Sequence, residues 1–370
     1  MELVFDIETD GLLWEFTSKN IETGKMEVHP PATKIWCIVA IDEADNVYSF
    51  DPNQIDEGIE FLKSANKLVG HNIIGFDIPM IEKLKHVSLY KHAKIIDTLT
   101  LSRLLHPTRE GGHSLEKWGW KLNCPKSKSP NFTEFSKEML DYCIQDVWLN
   151  KKVLEKLRSD GKGFEKECIE LEHNTCKVLQ DQQMNGFLFD EKNATLLLSS
   201  LNKRKKEVVN EVHNTFKPKW VDVKQVIPKL KKDGQLSKSG LTKLEYDERV
   251  ESKNTTPFMR KELQEFNLGS RKQIGEYLID FGWKPKRFTP TGQPIVDEGT
   301  LNKISHIKEA QLIAEFLLLQ KRAAQVESWI DAVKDDGRVH GSVISTGAIT
   351  GRMAHRNPNM AQVPAVYSPY

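Results

Sequence analysis

The first 160 residues alternate between short apolar runs and amphipathic stretches, and this alternation restricts the possible folds more than any other feature of the chain. The spacing predicts strands near 3–5, 34–41, 46–50 and 67–70, and helices near 54–65, 77–85, 97–105 and 134–157. Consecutive strands that give way to alternating helices and strands are typical of an α/β domain. We therefore predict an α/β fold with a mixed sheet for this part of the chain.

Glycines and polar residues at 159–163 interrupt this pattern, and they predict a domain boundary at about residue 160. The first predicted domain is thus 1–160. Residues 161–337 show long helical patterns around a basic insertion at about 217–261, which holds 12 Lys and Arg against 6 Asp and Glu. Residues 338–370 contain strand-like and turn-like pieces. The sequence thus predicts a mainly helical region and a short C-terminal segment after the α/β domain.

Charge is distributed unevenly along the chain, although the net charge is only +1. Residues 1–150 hold 16 basic and 23 acidic residues, a balance of −7, whereas residues 151–370 hold 37 and 29, a balance of +8. An acidic N-terminal part favours cation binding, and a basic C-terminal part favours a polyanion such as nucleic acid. Ordinary solvated surfaces are the alternative, so composition alone does not decide between them.

Two classes of protein are disfavoured by the apolar runs and the cysteines. No apolar run reaches the roughly 18–20 residues that a membrane-spanning helix requires, and the first residues do not resemble a secretory signal. The five cysteines are odd in number and include no C-x-x-C pair. A disulfide framework or a zinc site is therefore not expected, and the composition fits a reducing cytoplasm.

Two carboxylates lie side by side in the first predicted strand. Asp6 and Glu8 are two residues apart, so their side chains point to the same face of the strand. Adjacent carboxylates repel each other unless a cation lies between them, and hard oxygen ligands favour Mg²⁺ or Mn²⁺. Because D-x-E is common by chance, this pair alone is weak support for a metal site.

Two further patches place acidic residues at positions where they can join the first pair. Asp77 begins a predicted helix after an apolar strand, although a plain helix cap is an alternative. Tyr142 and Asp146 are four residues apart on a predicted helix and share a face, although an exposed helix pair would have the same spacing. A site in which four carboxylates surround two metal ions would require all three patches, so their combination favours such a site.

In this order, the patches D-x-E, N-x-x-x-x-D and Y-x-x-x-D resemble the exonuclease motifs of the DEDDy nucleases. The resemblance implies a ribonuclease-H-like fold and the role of a 3′→5′ proofreading domain in a family A DNA polymerase. Residues 96–103 and 113–119 are similar to the exonuclease domain of the T-seven-type phage replicative polymerases. A phage protein of this kind would work in the cytoplasm of a bacterial host.

For the chemistry, the resemblance implies two Mg²⁺ ions, or Mn²⁺ in their place, about 4 Å apart. The metal ligands that it implies are Asp6, Glu8, Asp77 and Asp146. One ion would lower the pKa of the attacking water, the other would stabilise the leaving 3′-oxygen, and Tyr142 would orient the water. Asn72 would contact the DNA. Frayed, single-stranded 3′ ends would be preferred, because unpaired bases enter a pocket cheaply.

The C-terminal segment resembles a different part of the same family. The T-G-R at 350–352, followed by N-P-N-M-A-Q-V-P at 357–364, is similar to the block that opens the polymerase palm. The resemblance implies that Arg352 reaches the minor groove near the primer terminus, with Asn359 and Gln362 nearby. Lys321 and Arg322 lie in a predicted helix similar to the thumb and palm base, where they would contact phosphates or simply be solvated.

The family's polymerase chemistry needs two palm aspartates and a fingers helix on motifs beyond residue 370. We therefore expect that this polypeptide does not polymerise DNA alone, and that it is a truncated product or the N-terminal piece of a split polymerase with a C-terminal partner. The basic insertion at 217–261 lies where the phage relatives carry a loop that binds thioredoxin, which makes thioredoxin a candidate partner. A loop that grips duplex DNA by itself is the alternative.

Three functions fit these patterns to different degrees. The first is a proofreading exonuclease joined to the start of a family A polymerase, and the second is a non-catalytic DNA-binding or assembly subunit whose carboxylates are relics. The third is an exonuclease of RNA ends. All four carboxylates and the tyrosine are present, which favours an active nuclease, and the T-G-R block favours DNA over RNA.

Overall fold

Two compact units make up the chain, whose structure is a computed structural model that describes residues 1–19, 24 and 26–364. The first unit comprises Met1–Phe189 together with the stretch that begins at Ala332, and the second comprises Asp190–Asp331. The N-terminal α/β pattern and the C-terminal segment thus fall in one unit. The sequence-based division at residues 160 and 337 remains a prediction, and residues 365–370 of its last segment lie outside the described residues.

The strands and helices of the first unit follow the predicted alternation. Its strands are β1 (Glu2–Thr9), β2 (Phe16–Lys19), β3 (Met26–His29), β4 (Ile35–Ile41), β5 (Val47–Phe50), β6 (Lys67–Gly70), β7 (Lys94–Asp97) and β8 (Phe187–Leu188). Its helices are α1 (Ile55–Lys63), α2 (Asp77–Lys85), α3 (Thr98–Leu105), α4 (Leu115–Lys121), α5 (Lys137–Asp160) and α6 (Lys166–Asn185). The sequence pattern did not predict β2, β3, β7, β8 or α4, which are short and have too few residues for a clear period.

A five-stranded sheet in the order β5-β4-β1-β6-β7 forms the centre of the first unit. Strand β1 pairs antiparallel with β4 and parallel with β6, while β4–β5 is antiparallel and β6–β7 is parallel. The predicted mixed sheet of an α/β fold is thereby confirmed. The parallel half places the carboxyl ends of β1, β6 and β7 at one edge, where a site can be assembled.

Strand β1 is buried on both faces because helices cover the sheet from both sides. Leu3, Phe5 and Ile7 pack into one apolar cluster with residues of α1 and α2. Val4 packs on the other face with Cys143 and further residues of α5. Asp6 and Glu8 alternate with the first group, so they point to the α5 face of the sheet.

Helix α5 buries a stripe of side chains with helical spacing against the sheet. The side chain of Ser136 caps the helix by accepting a hydrogen bond from the backbone N–H of Met139. Its buried residues are Met139, Cys143, Asp146, Val147, Leu149, Asn150, Val153, Leu154 and Leu157. An aspartate in such a stripe is unusual, because burying a carboxylate costs free energy unless it has partners.

The C-terminal stretch of the first unit adds small two-stranded pairs. Strand β11 (Arg338–Val339) pairs with β8, and β12 (Ser342–Ile344) pairs with β13 (Ala354–Arg356). The His340 ring lies against the ring of Trp14, with 4.5 Å between the centroids. The segment that resembles the start of a polymerase palm therefore packs onto the α/β part of the same unit.

The second unit is mainly helical, and it contains an antiparallel ribbon. Its elements are α7 (Glu191–Thr215), β9 (Lys219–Val226), α8 (Lys243–Val250), β10 (Phe258–Gln264), α9 (Arg271–Asp280), α10 (Glu298–Lys303) and α11 (Lys308–Ile330). Helix α7 packs against α11, and Arg204 on α7 forms an ion pair with Glu315 on α11. The basic insertion at 217–261 is more regular than the sequence pattern indicated, because β9 and β10 pair along their length. Its glycines and prolines, except Pro218, lie between these strands.

Among the described helices, none has both the length and the apolar composition that crossing a membrane requires.

Candidate active site

Strand β1 positions the first two carboxylates of the candidate site. Asp6 lies opposite Val39 of β4, Glu8 lies opposite Cys37, and a bulge follows Glu8. One ligand atom each from Asp6, Glu8 and Cys143 lies within 4.8 Å of the others. The two carboxylates are thus brought together on the face that α5 covers, as the D-x-E spacing predicts.

Asp77 joins this pair from the start of α2. Its side chain is 2% exposed. The backbone N–H of Ile7, between Asp6 and Glu8, donates a hydrogen bond of 3.2 Å to the Oδ1 atom of Asp77. The helix cap is Phe76, so Asp77 is not the plain cap that the alternative interpretation required. Its carboxylate is instead directed at β1.

Asp146 and Tyr142 reach the site from α5. Asp146 is 4% exposed, and its Oδ2 atom forms an ion pair with the Nζ atom of Lys126. The same Nζ atom lies 4.6 Å from the centroid of the Tyr142 ring, which also meets Phe132 edge-on. The two residues therefore contact the same ammonium group from one face of α5, as their spacing of four predicts.

The pKa values of all four acidic groups are raised, and burial is the largest cause for each of them. Burial raises the pKa of Asp6 well above its usual value, and the nearby Asp77, Glu8 and Asp146 raise it further. Burial, followed by the charge of Asp146, raises the pKa of Glu8 to about 8. Burial raises the pKa of Asp77 to about 7 and also raises that of Asp146, although Lys126 opposes the latter. A divalent ion among these carboxyl groups would favour their ionised forms and so oppose these shifts.

The donor set fits hard divalent cations. The Oδ1 atom of Asp146 is buried and has no hydrogen-bond partner among the described residues. Carboxylate oxygens are the ligands that Mg²⁺ and Mn²⁺ prefer. Cys143 lies within the same cluster, but burial raises the pKa of its thiol, and a neutral thiol is a poor ligand for a hard ion. Asp6, Glu8, Asp77 and Asp146 are thus the residues that could hold such ions.

Asp97 fastens the loop that carries Asn72 and Asp77. Its carboxylate accepts hydrogen bonds from the backbone N–H groups of Asn72 and Ile74, both of 3.0 Å, and it also caps α3. Asn72 has a positive φ of 69°, and a Cβ atom on Gly75 would lie 2.6 Å from its Oδ1 atom. This explains the glycine in the patch. Asp97 was absent from the residues predicted for the site, because its role is to shape a loop.

Lys126 is a further residue of the site that the sequence did not indicate. Lys126 lies in the loop between α4 and α5, 20 positions before its partner Asp146. Burial alone would lower the pKa of Lys126, but the Asp146 carboxylate outweighs this and raises it. A lysine in a polar loop has no periodicity that would distinguish it from its neighbours.

Apart from Asn72, the residues predicted to contact DNA lie on elements that carry none of the four carboxylates. In the first unit, Arg352 is exposed in the turn between β12 and β13, and Asn359 caps a short 3₁₀ helix by accepting a hydrogen bond from the backbone N–H of Ala361. Gln362, in the same short helix, is exposed. In the second unit, Lys321 is exposed on α11, and Arg322 beside it donates to the side chain of Gln325. Their contacts with DNA remain predictions.

Comparison with known proteins finds that the chain is similar to DNA polymerases. The sequence profile of DNA polymerase family A matches residues 238–368. The DNA-directed DNA polymerase of Enterobacteria phage T3 is 30% identical over 100% of this chain and 63% of its own length. That of Escherichia phage T7 is 30% identical over 91% of this chain and 61% of its own length. The chain therefore spans less than two thirds of these relatives.

A solved structure of low sequence identity has a similar fold. It is the POL domain of Pol1 from M. smegmatis in complex with a DNA primer-template and dNTP, with a TM-score of 0.65 and 13% identity. The similarity covers 98% of this chain and 52% of the other. At this identity the comparison concerns the fold alone.

Proposed function

This chain belongs to DNA polymerase family A and is of the phage T7 type, and from that premise we propose that its first unit is a divalent-metal-dependent 3′→5′ exonuclease for DNA. The observation that carries the proposal is that Asp6, Glu8, Asp77 and Asp146 lie close enough to interact, since the other three all raise the pKa of Asp6. In the proposal, this α/β unit has a ribonuclease-H-like fold, and it proofreads for a DNA-directed DNA polymerase used in replication.

In the proposed reaction, a water molecule attacks the last phosphodiester bond and releases a nucleoside 5′-monophosphate. Mg²⁺ ions held by the four carboxylates would supply the positive charge that stabilises the attacking and leaving oxygens. The ring of Tyr142 lies beside the ammonium group that pairs with Asp146, and its hydroxyl is proposed to orient the water. The backbone N–H of Ile7 on β1 donates to Asp77, and the Cys143 thiol on α5 donates to the backbone carbonyl of Asp6, so both helices are attached to β1 before the substrate arrives.

DNA contacts are proposed for residues in both units of the chain. Asn72 is exposed at the end of β6, on the loop that leads to Asp77, where it can meet the terminal nucleotide. Arg352 and Gln362 are exposed in the first unit, and Lys321 is exposed in the second. In the proposal these residues contact the phosphates and the minor groove of the primer–template duplex.

A 5′-labelled single-stranded DNA tests the proposed exonuclease. In Mg²⁺ we expect a ladder of products shortened from the 3′ end, and excess EDTA should stop the shortening because the carboxylates alone cannot stabilise the transition state. An RNA of the same sequence is the control for the competing RNA substrate. Salt-sensitive DNA binding without any shortening would instead support a non-catalytic DNA-binding subunit.

We also propose that the ribbon of β9 and β10 binds thioredoxin. Trp220 and Leu263 lie directly opposite each other in this ribbon, and their side chains are 68% and 54% exposed. An exposed aromatic and aliphatic pair on a basic ribbon is typical of a surface that a protein partner covers.

Co-purification with thioredoxin at moderate salt tests this partner. We expect a retained complex with the parent chain, and we expect Trp220→Lys to lose it because a charge replaces the exposed apolar ring. Trp120→Lys is the matched control, since Trp120 is similarly exposed on α4 of the other unit. Failure of the parent chain to retain thioredoxin would remove the proposal and would leave DNA as the ligand of the ribbon.

A further inference from the structure

One ammonium group lies inside the cluster of carboxylates. The Nζ atom of Lys126 forms an ion pair with Asp146, and the Lys126 side chain is only 17% exposed. It also lies over the ring of Tyr142. An ion pair between exposed side chains would be worth little, but Asp146 is almost fully buried, where an unpaired charge is costly. The ion pair with Lys126 therefore compensates the buried charge of Asp146.

The backbone on both sides of Lys126 is held in place by Gln145. The Nε2 atom of Gln145 donates a hydrogen bond of 3.1 Å to the carbonyl oxygen of Pro125, and its Oε1 atom accepts one of 2.9 Å from the N–H of Ser127. Gln145 is the neighbour of Asp146 on α5. The residue that precedes the ligand thus clamps the loop that carries the ammonium group.

The start of the same loop is fixed to α4. The backbone N–H of Cys124 donates a 2.8 Å hydrogen bond to the carbonyl oxygen of Gly119, and a Cβ atom on Gly119 would lie 2.7 Å from the carbonyl oxygen of Cys124. A larger residue at 119 would push this loop away. Two independent attachments therefore direct Lys126 towards the carboxylates.

The ammonium group acts on more than its direct partner. Its charge opposes the rise in the pKa of Asp6, Glu8 and Asp146 alike. A divalent ion would occupy the same region and would be repelled by an ammonium group in contact with Asp146.

We propose that Lys126 is the built-in counter-ion of the metal site, which pairs with Asp146 in the metal-free chain and must leave this carboxylate when a divalent ion binds. This inference rests on the proposed nuclease function and deepens it by assigning a positioning residue. Lys126 competes with the metal, so it lowers metal affinity while it stabilises the metal-free site. A lysine with a purely structural role would stabilise both states equally.

Titration of the full chain with Mn²⁺, followed by the electron paramagnetic resonance of the free ion, tests the competition. Lys126→Met should bind Mn²⁺ about tenfold more tightly than the parent, and its melting temperature without metal should be lower. With saturating Mn²⁺ the two melting temperatures should converge. Lys128→Met is the matched control, because Lys128 is exposed two residues away in the same loop, and it should change neither quantity.

Unchanged or weaker Mn²⁺ binding by Lys126→Met would overturn the inference. If that variant does not fold without metal, Gln145→Ala keeps the ammonium group and only releases the loop, and it should still tighten Mn²⁺ binding several-fold. Unchanged binding by Gln145→Ala would then overturn the inference. Degradation of DNA by the parent is measured in the same samples. Mn²⁺ binding without degradation would refute the nuclease, whereas the comparison of variants would still decide the role of Lys126.

Discussion

Replacing Asp6 by alanine should slow the shortening of 3′ ends by about a thousandfold or more, which corresponds to about 4 kcal/mol of transition-state stabilisation. Asp6 interacts with all three of the other carboxylates, since Asp77, Glu8 and Asp146 each raise its pKa. Removing it would leave three ligands for two ions, and losing one electrostatic stabiliser commonly costs a factor of a hundred to a thousand. Initial rates on 5′-labelled DNA at saturating Mg²⁺ measure the effect.

The same substitution should leave the fold intact. Asp6 contributes its backbone to the pairing of β1 with β4, and alanine retains that pairing. Its buried carboxylate is surrounded by like charge in the metal-free chain, so its removal should keep or raise the melting temperature without metal.

Asp141→Ala is the matched control for this experiment. Asp141 is exposed on α5 beside Tyr142, and we expect its loss to change the rate less than twofold. If Asp6→Ala digested DNA as fast as the parent, the assignment of the metal ligands would be wrong. A rate loss accompanied by unfolding would be attributed to the fold, which circular dichroism of the variant distinguishes.

Acidification should destabilise the first unit through His71, by roughly 3–5 kcal/mol between pH 6.5 and pH 3. Burial, and then the charges of Arg103 and Lys126, lower the pKa of His71 to about 3. The unfolded chain binds a proton at this residue near pH 6.5, but the folded chain does not bind it until about pH 3. The contribution of His71 to the free energy of unfolding is therefore fully present above pH 6.5, and it is lost as the pH decreases from 6.5 to about 3.

Urea unfolding at several pH values, in EDTA, measures this effect against a variant. His71→Gln retains a polar side chain of similar size without the titration, so its stability should fall less steeply by about 1 kcal/mol per pH unit between pH 6 and pH 4. His92→Gln is the control, because His92 is exposed in the same unit and its loss should leave the slope unchanged. Parallel pH profiles for the parent and His71→Gln would contradict the prediction.

Local patterns in the sequence were sufficient for much of the fold. The strand at Lys67–Gly70 and the helix at Asp77–Lys85 lie where the apolar spacing predicted them, and the mixed sheet was expected from the order of the elements. The predicted family was confirmed by the two phage polymerases. The predicted strands and helices depend on apolar side chains that recur every two residues in a strand and every 3.6 residues in a helix. Such a period can be recognised within one short stretch of sequence.

The ribbon in the second unit shows where such patterns are insufficient. Gly and Pro between Lys219–Val226 and Phe258–Gln264 made the insertion look irregular, although the two stretches pair as β9 and β10. About 30 residues separate them, so no short window contains both strands. Pairing at this distance depends on contacts that a local period does not encode.

By itself, the sequence determined which carboxylates could form a site, because D-x-E on a strand and Y-x-x-x-D on a helix place their side chains on one face through local geometry. Only the tertiary structure decided that these faces meet, that Asp77 is held by the backbone of Ile7, and that Lys126 lies among the acids. The physical reason is that a loop side chain obtains its position from distant attachments. For Lys126 these are the hydrogen bonds of Gln145, which no periodicity around residue 126 reveals.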